Sequence, residues 1–207
     1  MHFKVLDKKA KALLRPLRDL VKSSSFVLAG GTGLALQYGH RMSDDFDFFS
    51  EDDFSCEDIL RQISSLGDTQ ILLQDQYSLV VSTKGVKLSF FRYWDKFLFD
   101  PIPTKYFSLT DPKDIVFMKL VALSQRGARK DFIDLYFLFK KTISLKKSLP
   151  LLEKKFPNQK TNLHHILKSL VYFEDAEKEP MPKMLVPFDW EGIKRYFQNL
   201  FYQEFDV

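Results

Sequence analysis

Asp45 and Asp47 stand two positions apart among aromatic residues, in the stretch Asp44-Asp45-Phe46-Asp47-Phe48-Phe49. On a strand, alternate residues leave the same face, so both carboxylates would be presented together while Phe46 and Phe48 turn to the other side. Unpaired, two such charges repel. Side by side they suit a magnesium ion, which is commonly held by one or two carboxylates together with phosphate oxygens of a substrate. Upstream, Gly30 and Gly31 follow the apolar run Phe26-Val27-Leu28-Ala29. Glycines between a strand and a helix let backbone amides approach an anion closely, and a helix N-terminus favours negative charge. A phosphate cradle and a metal clamp would then be neighbours along the chain. Taken singly, each motif also has an ordinary explanation: Asp-x-Asp occurs at solvated strand ends, and a glycine pair makes tight turns.

A second group of charges lies in residues 119–138, KLVALSQRGARKDFIDLYFL. On one unbroken helix Lys119 and Asp134 would be separated by roughly 22 Å and could not serve one small site. A break at Gly127 would shorten that distance and let Lys119, Arg126, Asp131 and Asp134 face a common cleft. Asp131 and Asp134 are one helical turn apart and share a face. The plain alternative is a set of surface charges flanking the apolar stripe Phe132, Leu135, Tyr136 and Leu138.

The elements that would position these groups change character along the chain. An amphipathic helix over about 7–22, disturbed near Pro16, ends at the serines Ser23 to Ser25. Phe26 to Ala29 reads as a short buried strand, the glycines as the turn into a helix from about Thr32 to Tyr38 with Thr32 as its N-cap, and Gly39 as its stop. Asp45 to Phe49 reads as a second strand. A helix over 57–66 and strands at 70–73, 77–83 and 86–93 follow, the last two joined by the turn Lys84-Gly85. Beyond Asp100 to Pro103 the pattern is helical: a start at Asp111-Pro112-Lys113-Asp114, periodicity to about Ser124, resumption from Arg129 to Lys140, and helices at 147–156, 161–173 and 189–203. These patterns predict an α+β chain in two parts, residues 1–105 and 106–207.

Composition narrows the setting. The chain has 207 residues, 45% of them hydrophobic, which suffices for a buried core. A lone cysteine, Cys56, excludes an internal disulfide and any Cys-based zinc site and fits a reducing compartment. No apolar stretch reaches signal-peptide or bilayer-spanning length, so the expected protein is soluble and cytoplasmic, with no membrane partner. Net charge is +4 but uneven. Between Asp44 and Asp58 there are eight acidic residues and no Lys or Arg, whereas Lys140 to Lys168 holds eight lysines against Glu153. The first region suits cations and the second polyanions, or both are ordinary solvated faces.

Two long motifs together carry a family resemblance. Leu28-Ala29-Gly30-Gly31-Thr32 leading to Arg41-Met42-Ser43-Asp44-Asp45-Phe46-Asp47 resembles the first motif of the nucleotidyltransferase AbiEii toxin family. Lys119, Arg126, Lys130-Asp131 and Asp134-Leu135-Tyr136 resemble its later motif, in the right order and over about residues 26 to 140. The resemblance implies a nucleotidyltransferase-like mixed sheet with flanking helices, followed by a C-terminal helical bundle that contributes Lys119 and Asp134 to the cleft. It implies transfer of a nucleotide from a nucleoside triphosphate, dependent on magnesium or alternatively manganese, to an acceptor such as the 3′ end of tRNA. It also implies a toxin role with a cognate antitoxin.

Carried over residue by residue, Asp45 and Asp47 match the metal-binding carboxylates and Ser43 the serine before them. Lys119 matches the lysine that contacts triphosphate, and Asp134 the later essential acid. Gly30, Gly31, Thr32, Arg126 and Asp131 fall on the nucleotide-binding side of the motifs. Many nucleotidyltransferases add a third carboxylate from a later strand, but the candidate strand here, Gly85-Val86-Lys87-Leu88-Ser89-Phe90-Phe91-Arg92, contains no acid. Either Ser89 stands where that acid would be and Asp131 or Asp134 compensates, or catalysis is weak. The competing readings are therefore a catalytically weak or inactive nucleotide-binding or interaction module of the same fold, and an enzyme whose acceptor is a protein hydroxyl.

Overall fold

The computed structural model describes residues 1–156 and 163–205. The chain divides into two compact units, Met1–Asp111 and Pro112–Val207.

The first unit opens with a short 3-10 turn, Phe3–Val5, and helix α1, Lys8–Val21, whose N-cap Asp7 accepts the amide of Ala10 at 2.7 Å. Pro16 lies inside α1 without ending it, so the expected disturbance there does not break the element. Strand β1 (Val27–Leu28) runs into α2 (Gly30–Tyr38), then come β2 (Phe46–Ser50), α3 (Cys56–Ser64), β3 (Thr69–Gln74), β4 (Ser78–Thr83), β5 (Val86–Arg92) and β6 (Ser108–Leu109). They build one six-stranded sheet in the order β3-β4-β5-β2-β1-β6. The sheet is mixed: β2 pairs parallel with β5 and β1 parallel with β6, and the remaining pairs are antiparallel. The parallel pairing of β6 with β1 ties the chain up to residue 109 to the first unit.

Alternation along β2 decides its role. Phe46, Phe48 and Ser50 are buried while Asp47 and Phe49 are half-buried on the other face. Phe48 stacks on Phe90 with ring centroids 5.3 Å apart and meets Phe107 edge-on at 5.4 Å. Each such ring contributes about 1.5–3 kcal/mol by leaving water, so the aromatic face fixes β2 in register and leaves the acidic face no freedom to slip. The hairpin between β4 and β5 turns through Lys84 (φ 53°) and Gly85 (φ 75°), both left-handed as the two-residue primed turn requires.

The second unit is helical: α4 (Pro112–Arg126), α5 (Arg129–Lys141), α6 (Leu145–Lys155), α7 (Leu163–Ser169), α8 (Glu174–Lys178) and α9 (Trp190–Phe205). Of the helix expected at 161–173, residues 161 and 162 lie outside the described residues, and the remainder forms α7 and a turn rather than one longer helix. Phe132 is its aromatic centre, 4.9 Å from Phe173, 5.5 Å from Phe197 and 6.0 Å from Trp190 between ring centroids. Arg129 braces α5 against α8, donating through Nε to the Ala176 carbonyl at 2.7 Å and lying 5.1 Å over the Trp190 ring. Lys155 and Asp114 form an ion pair of 2.7 Å with both side chains fully buried. Lys155 is thus part of the interior, although its neighbours in the sequence suggested a basic surface. No helix among the described residues is long and apolar enough to cross a membrane.

Candidate functional site

The glycine pair and the acidic stretch meet in the first unit. Ala29 donates its amide to the Asp47 carbonyl at 2.9 Å, which lays the start of α2 against β2. Gly30 and Gly31 form the first turn of that helix rather than a turn before it, and the cap position is Ala29, not Thr32. The N-cap Ala29 supplies no side-chain cap, and the first amides of a helix are the groups that can donate to an anion. Gly30 has φ 62°, and a Cβ there would stand 2.8 Å from Asp47 Oδ2. At Gly31 a Cβ would collide with the Arg41 guanidinium and lie 3.4 Å from Ser43 Oγ. The two glycines are needed because a carboxylate and a guanidinium come up to the helix backbone from either side.

The residues just before β2 are pinned individually. Thr32 Oγ1 and Ser43 Oγ lie 2.8 Å apart, with Thr32 fully buried. Ser43 donates its amide to the Val5 carbonyl at 3.0 Å, and Asp44 accepts the Asp7 amide at 2.7 Å. Asp45 then stands one residue before β2 and is exposed, while Asp47 is half-buried within it. Gly30, Gly31, Thr32, Ser43 and Asp47 are thereby brought together, with Asp45 beside them.

An exposed and a half-buried carboxylate are the type of ligand magnesium takes, completing its shell with water and substrate phosphate. Among the described residues no group of three or more His, Cys, Asp or Glu gathers to hold a metal. The partner of Asp47 across the parallel pairing with β5 is Ser89. Ser89 is fully buried, and its hydroxyl has no hydrogen-bond partner among the described residues. A hydroxyl, not a carboxylate, occupies that place.

In the second unit, α4 ends at Arg126, Gly127 takes φ 59° and α5 begins at Arg129. The left-handed glycine folds α5 back along α4 and collapses the long helical separation of the charges. Lys119 Nζ lies 2.7 Å from Asp131 Oδ1 and 2.6 Å from Asp134 Oδ2. Arg126 Nε donates to Asp131 Oδ2 at 2.7 Å and its Nη2 to Oδ1 at 3.0 Å. Both acids are fully buried, Lys119 is nearly so, and the Arg126 side chain is 52% exposed. Burial alone would raise the Asp131 pKa, but Lys119 and Arg126 outweigh it and hold the carboxyl below its ordinary value of 3.8. Lys119, Arg126, Asp131 and Asp134 are thus joined in one buried ion-pair network that Arg126 carries to the surface.

A family profile described as nucleotidyl transferase AbiEii toxin, type IV toxin–antitoxin system, matches residues 11–70 and 86–205. The chain belongs to the AbiEii nucleotidyltransferase toxin family. A protein of Aquifex aeolicus (strain VF5), itself uncharacterized, is 40% identical over 199 residues, covering 94% of this chain and 95% of its own. Among solved structures, JHP933 from Helicobacter pylori matches with a TM-score of 0.61 at 18% identity, covering 96% of this chain and 92% of that one. MenT4, a nucleotidyltransferase toxin from Mycobacterium tuberculosis H37Rv, matches with a TM-score of 0.50 at 16% identity, covering 93% and 82%. At these identities the structures speak for the fold, which is that of AbiEii nucleotidyltransferases.

Arg41 is the residue that reading the motif left without a role. It is a buried cation against the start of the AbiEii glycine turn, with Nη1 donating to the Met42 carbonyl at 3.0 Å. Its signal in the sequence is a basic residue between a glycine pair and an Asp-x-Asp, where a cation can pair with acids or meet an anion.

Proposed function

We propose that this AbiEii-family chain transfers a nucleotide from a nucleoside triphosphate to an RNA acceptor, with a tRNA 3′ end as the favoured class. The observation that carries the reading is the Asp45-Asp47 pair set beside the uncapped, glycine-built start of α2. Asp45 and Asp47 are the residues to hold magnesium, or manganese in its place. When bound, the ion supplies neutralisation of the charge that develops around the α-phosphoryl group. The amides of Gly30 and Gly31 and the Thr32 and Ser43 hydroxyls position phosphate oxygens, and Arg41 holds the turn in shape from behind. The family resemblance gives Lys119 to the triphosphate and Asp134 to the acceptor hydroxyl, and the proposal keeps these roles on the condition that the ion pair joining the two buried side chains opens. Asp131 and Arg126 hold that pair in place in the closed network. Family membership further supports a cognate antitoxin protein as partner and a cytoplasmic setting.

A second reading is favoured by Ser89: with a hydroxyl where a third acid would help, the chain would bind nucleotide and act through its partner with little turnover. Purified protein with labelled nucleoside triphosphates, magnesium and total cellular RNA separates the two. Transfer to RNA that falls on the order of a thousandfold in Asp45→Asn and Asp47→Asn, the equivalent of several kcal/mol of charge stabilisation, supports the enzyme. Label on RNA that persists in both variants refutes the metal assignment, and nucleotide binding without label on any acceptor supports the second reading.

A further inference from the structure

The second unit carries an open groove of about 730 Å³ between α5, the segment 187–189 and α9. Tyr136 and Lys140 line it from α5, Phe188 from the segment before α9, and Arg195, Tyr196 and Asn199 from α9. Tyr136 and Tyr196 meet edge to face, with centroids 5.1 Å apart at 88°. The Lys140 ammonium rests 4.6 Å from the Tyr196 centroid and 5.9 Å from that of Tyr136, on rings rather than on a carboxylate. One acid stands at the rim: Asp189, 3.3 Å from Arg195, at the start of α9. Its charge is thus already answered by a guanidinium and a helix N-terminus.

Aromatic faces, mobile cations and an amide in one open trough form the chemistry of unpaired nucleotides. Bases stack on tyrosine and phenylalanine without regard to sequence, while lysine and arginine follow the phosphates. Asn199 adds donors and an acceptor for a base edge or a 2′-hydroxyl. A double helix keeps its bases stacked on one another and could not use the rings. An exposed cation–π contact is weaker than base stacking, so an incoming base displaces Lys140 from Tyr196 favourably and frees its ammonium for a phosphate.

We propose that this groove is a binding site for single-stranded RNA, with bases stacked on Tyr196 and Tyr136 and phosphates met by Lys140, while Arg195 offsets the charge of Asp189 at the rim. The proposal rests on the reading of RNA as acceptor, to which it adds the place where the strand is held.

The test measures binding of fluorescein-labelled single-stranded oligoadenylate to the full chain, by anisotropy, without nucleoside triphosphate. Tyr196→Ala is expected to weaken binding about tenfold, as the loss of one stacked base implies, and Tyr196→Phe to retain it. Lys140→Glu and Asn199→Ala alter exposed residues and keep the test valid if Tyr196→Ala does not fold; Lys140→Glu is expected to weaken binding at least as much. A duplex of the same length is expected to bind more weakly and to ignore Tyr196→Ala. Unchanged affinity in Lys140→Glu and Tyr196→Ala overturns the groove while leaving transfer to RNA standing. Loss of binding in the variants of a chain that labels no RNA supports the groove and refutes the transfer reading. Competition by an acidic peptide at Tyr196 with no RNA bound there would assign the groove to a protein partner and overturn the proposal.

Discussion

Ser89 is the direct neighbour of Asp47 across the parallel pairing of β2 and β5, and its buried hydroxyl has no partner among the described residues. An unsatisfied buried hydroxyl carries a desolvation cost, so Ser89→Ala is expected to raise stability by about 1 kcal/mol in urea unfolding. Ser89→Asp buries a charge and is expected to lower the Tm without metal, then regain part of the loss with magnesium as the added carboxylate shares the ion with Asp47. Transfer lost in Ser89→Ala with stability intact would show instead that the reaction uses the hydroxyl.

Gly30 combines φ 62° with an approach of 2.8 Å between a would-be Cβ and Asp47 Oδ2. Gly30→Ala is expected to cost about 1–3 kcal/mol of stability and to depress transfer further than that loss explains, because Asp47 must move. Gly85→Ala, strained at φ 75° in the hairpin, is the comparison: a similar stability loss with normal transfer per folded molecule. Equal effects of the two variants on transfer would refute the special role of Gly30.

The Asp131 carboxyl titrates below its ordinary 3.8, since Lys119 and Arg126 overcome the effect of its burial. A depressed carboxylate contributes stability that is fully present above about pH 4 and is lost as pH falls through the lowered folded value. Asp131→Asn is expected to lower stability at neutral pH by about 3 kcal/mol and to flatten the acid limb below 3.8. Urea midpoints followed from about pH 3 to about pH 7 check both, and an unchanged acid limb would remove Asp131 as its source.

Lys155 and Asp114, both fully buried at 2.7 Å, need one another more than the core needs them. Lys155→Met alone is expected to cost about 3–5 kcal/mol by removing a buried charge partner of Asp114. Adding Asp114→Leu is expected to restore most of that loss. A double variant no better than the single one would mean that the pair specifies the packing of α4 and α6.

The sheet strands and the helix starts were legible because their signals are local: alternation around Phe46 and Phe48, the Lys84-Gly85 turn, and the proline at the head of α4. The AbiEii motifs were legible for the same reason, as short runs with fixed chemistry. What sequence could not supply was partnership at a distance. Helical spacing puts Lys155 in line with the buried Leu145, Ser148 and Leu152, and Lys154 off that stripe, but residue type does not tell the two apart and the Asp114 partner lies far off in sequence. Gly127 could be named as a break that the charge group required, but only the fold places Lys119 within 2.7 Å of Asp131. Thr32 was misassigned as a cap because its hydroxyl is taken by Ser43, which lies across the turn rather than along it.

Asp7 caps α1 through its side chain while its backbone amide is held by Asp44, one residue before the exposed Asp45. Ser43 is tied in turn to the carbonyl of Val5. Two hydrogen bonds thus join the acidic segment to the start of α1 and couple their opening. In hydrogen exchange the amides of Asp7, Ala10 and Ser43 would report a single local unfolding event. A substitution at the head of α1, with no contact to any nucleotide, would reach Asp45 by raising the frequency of that event.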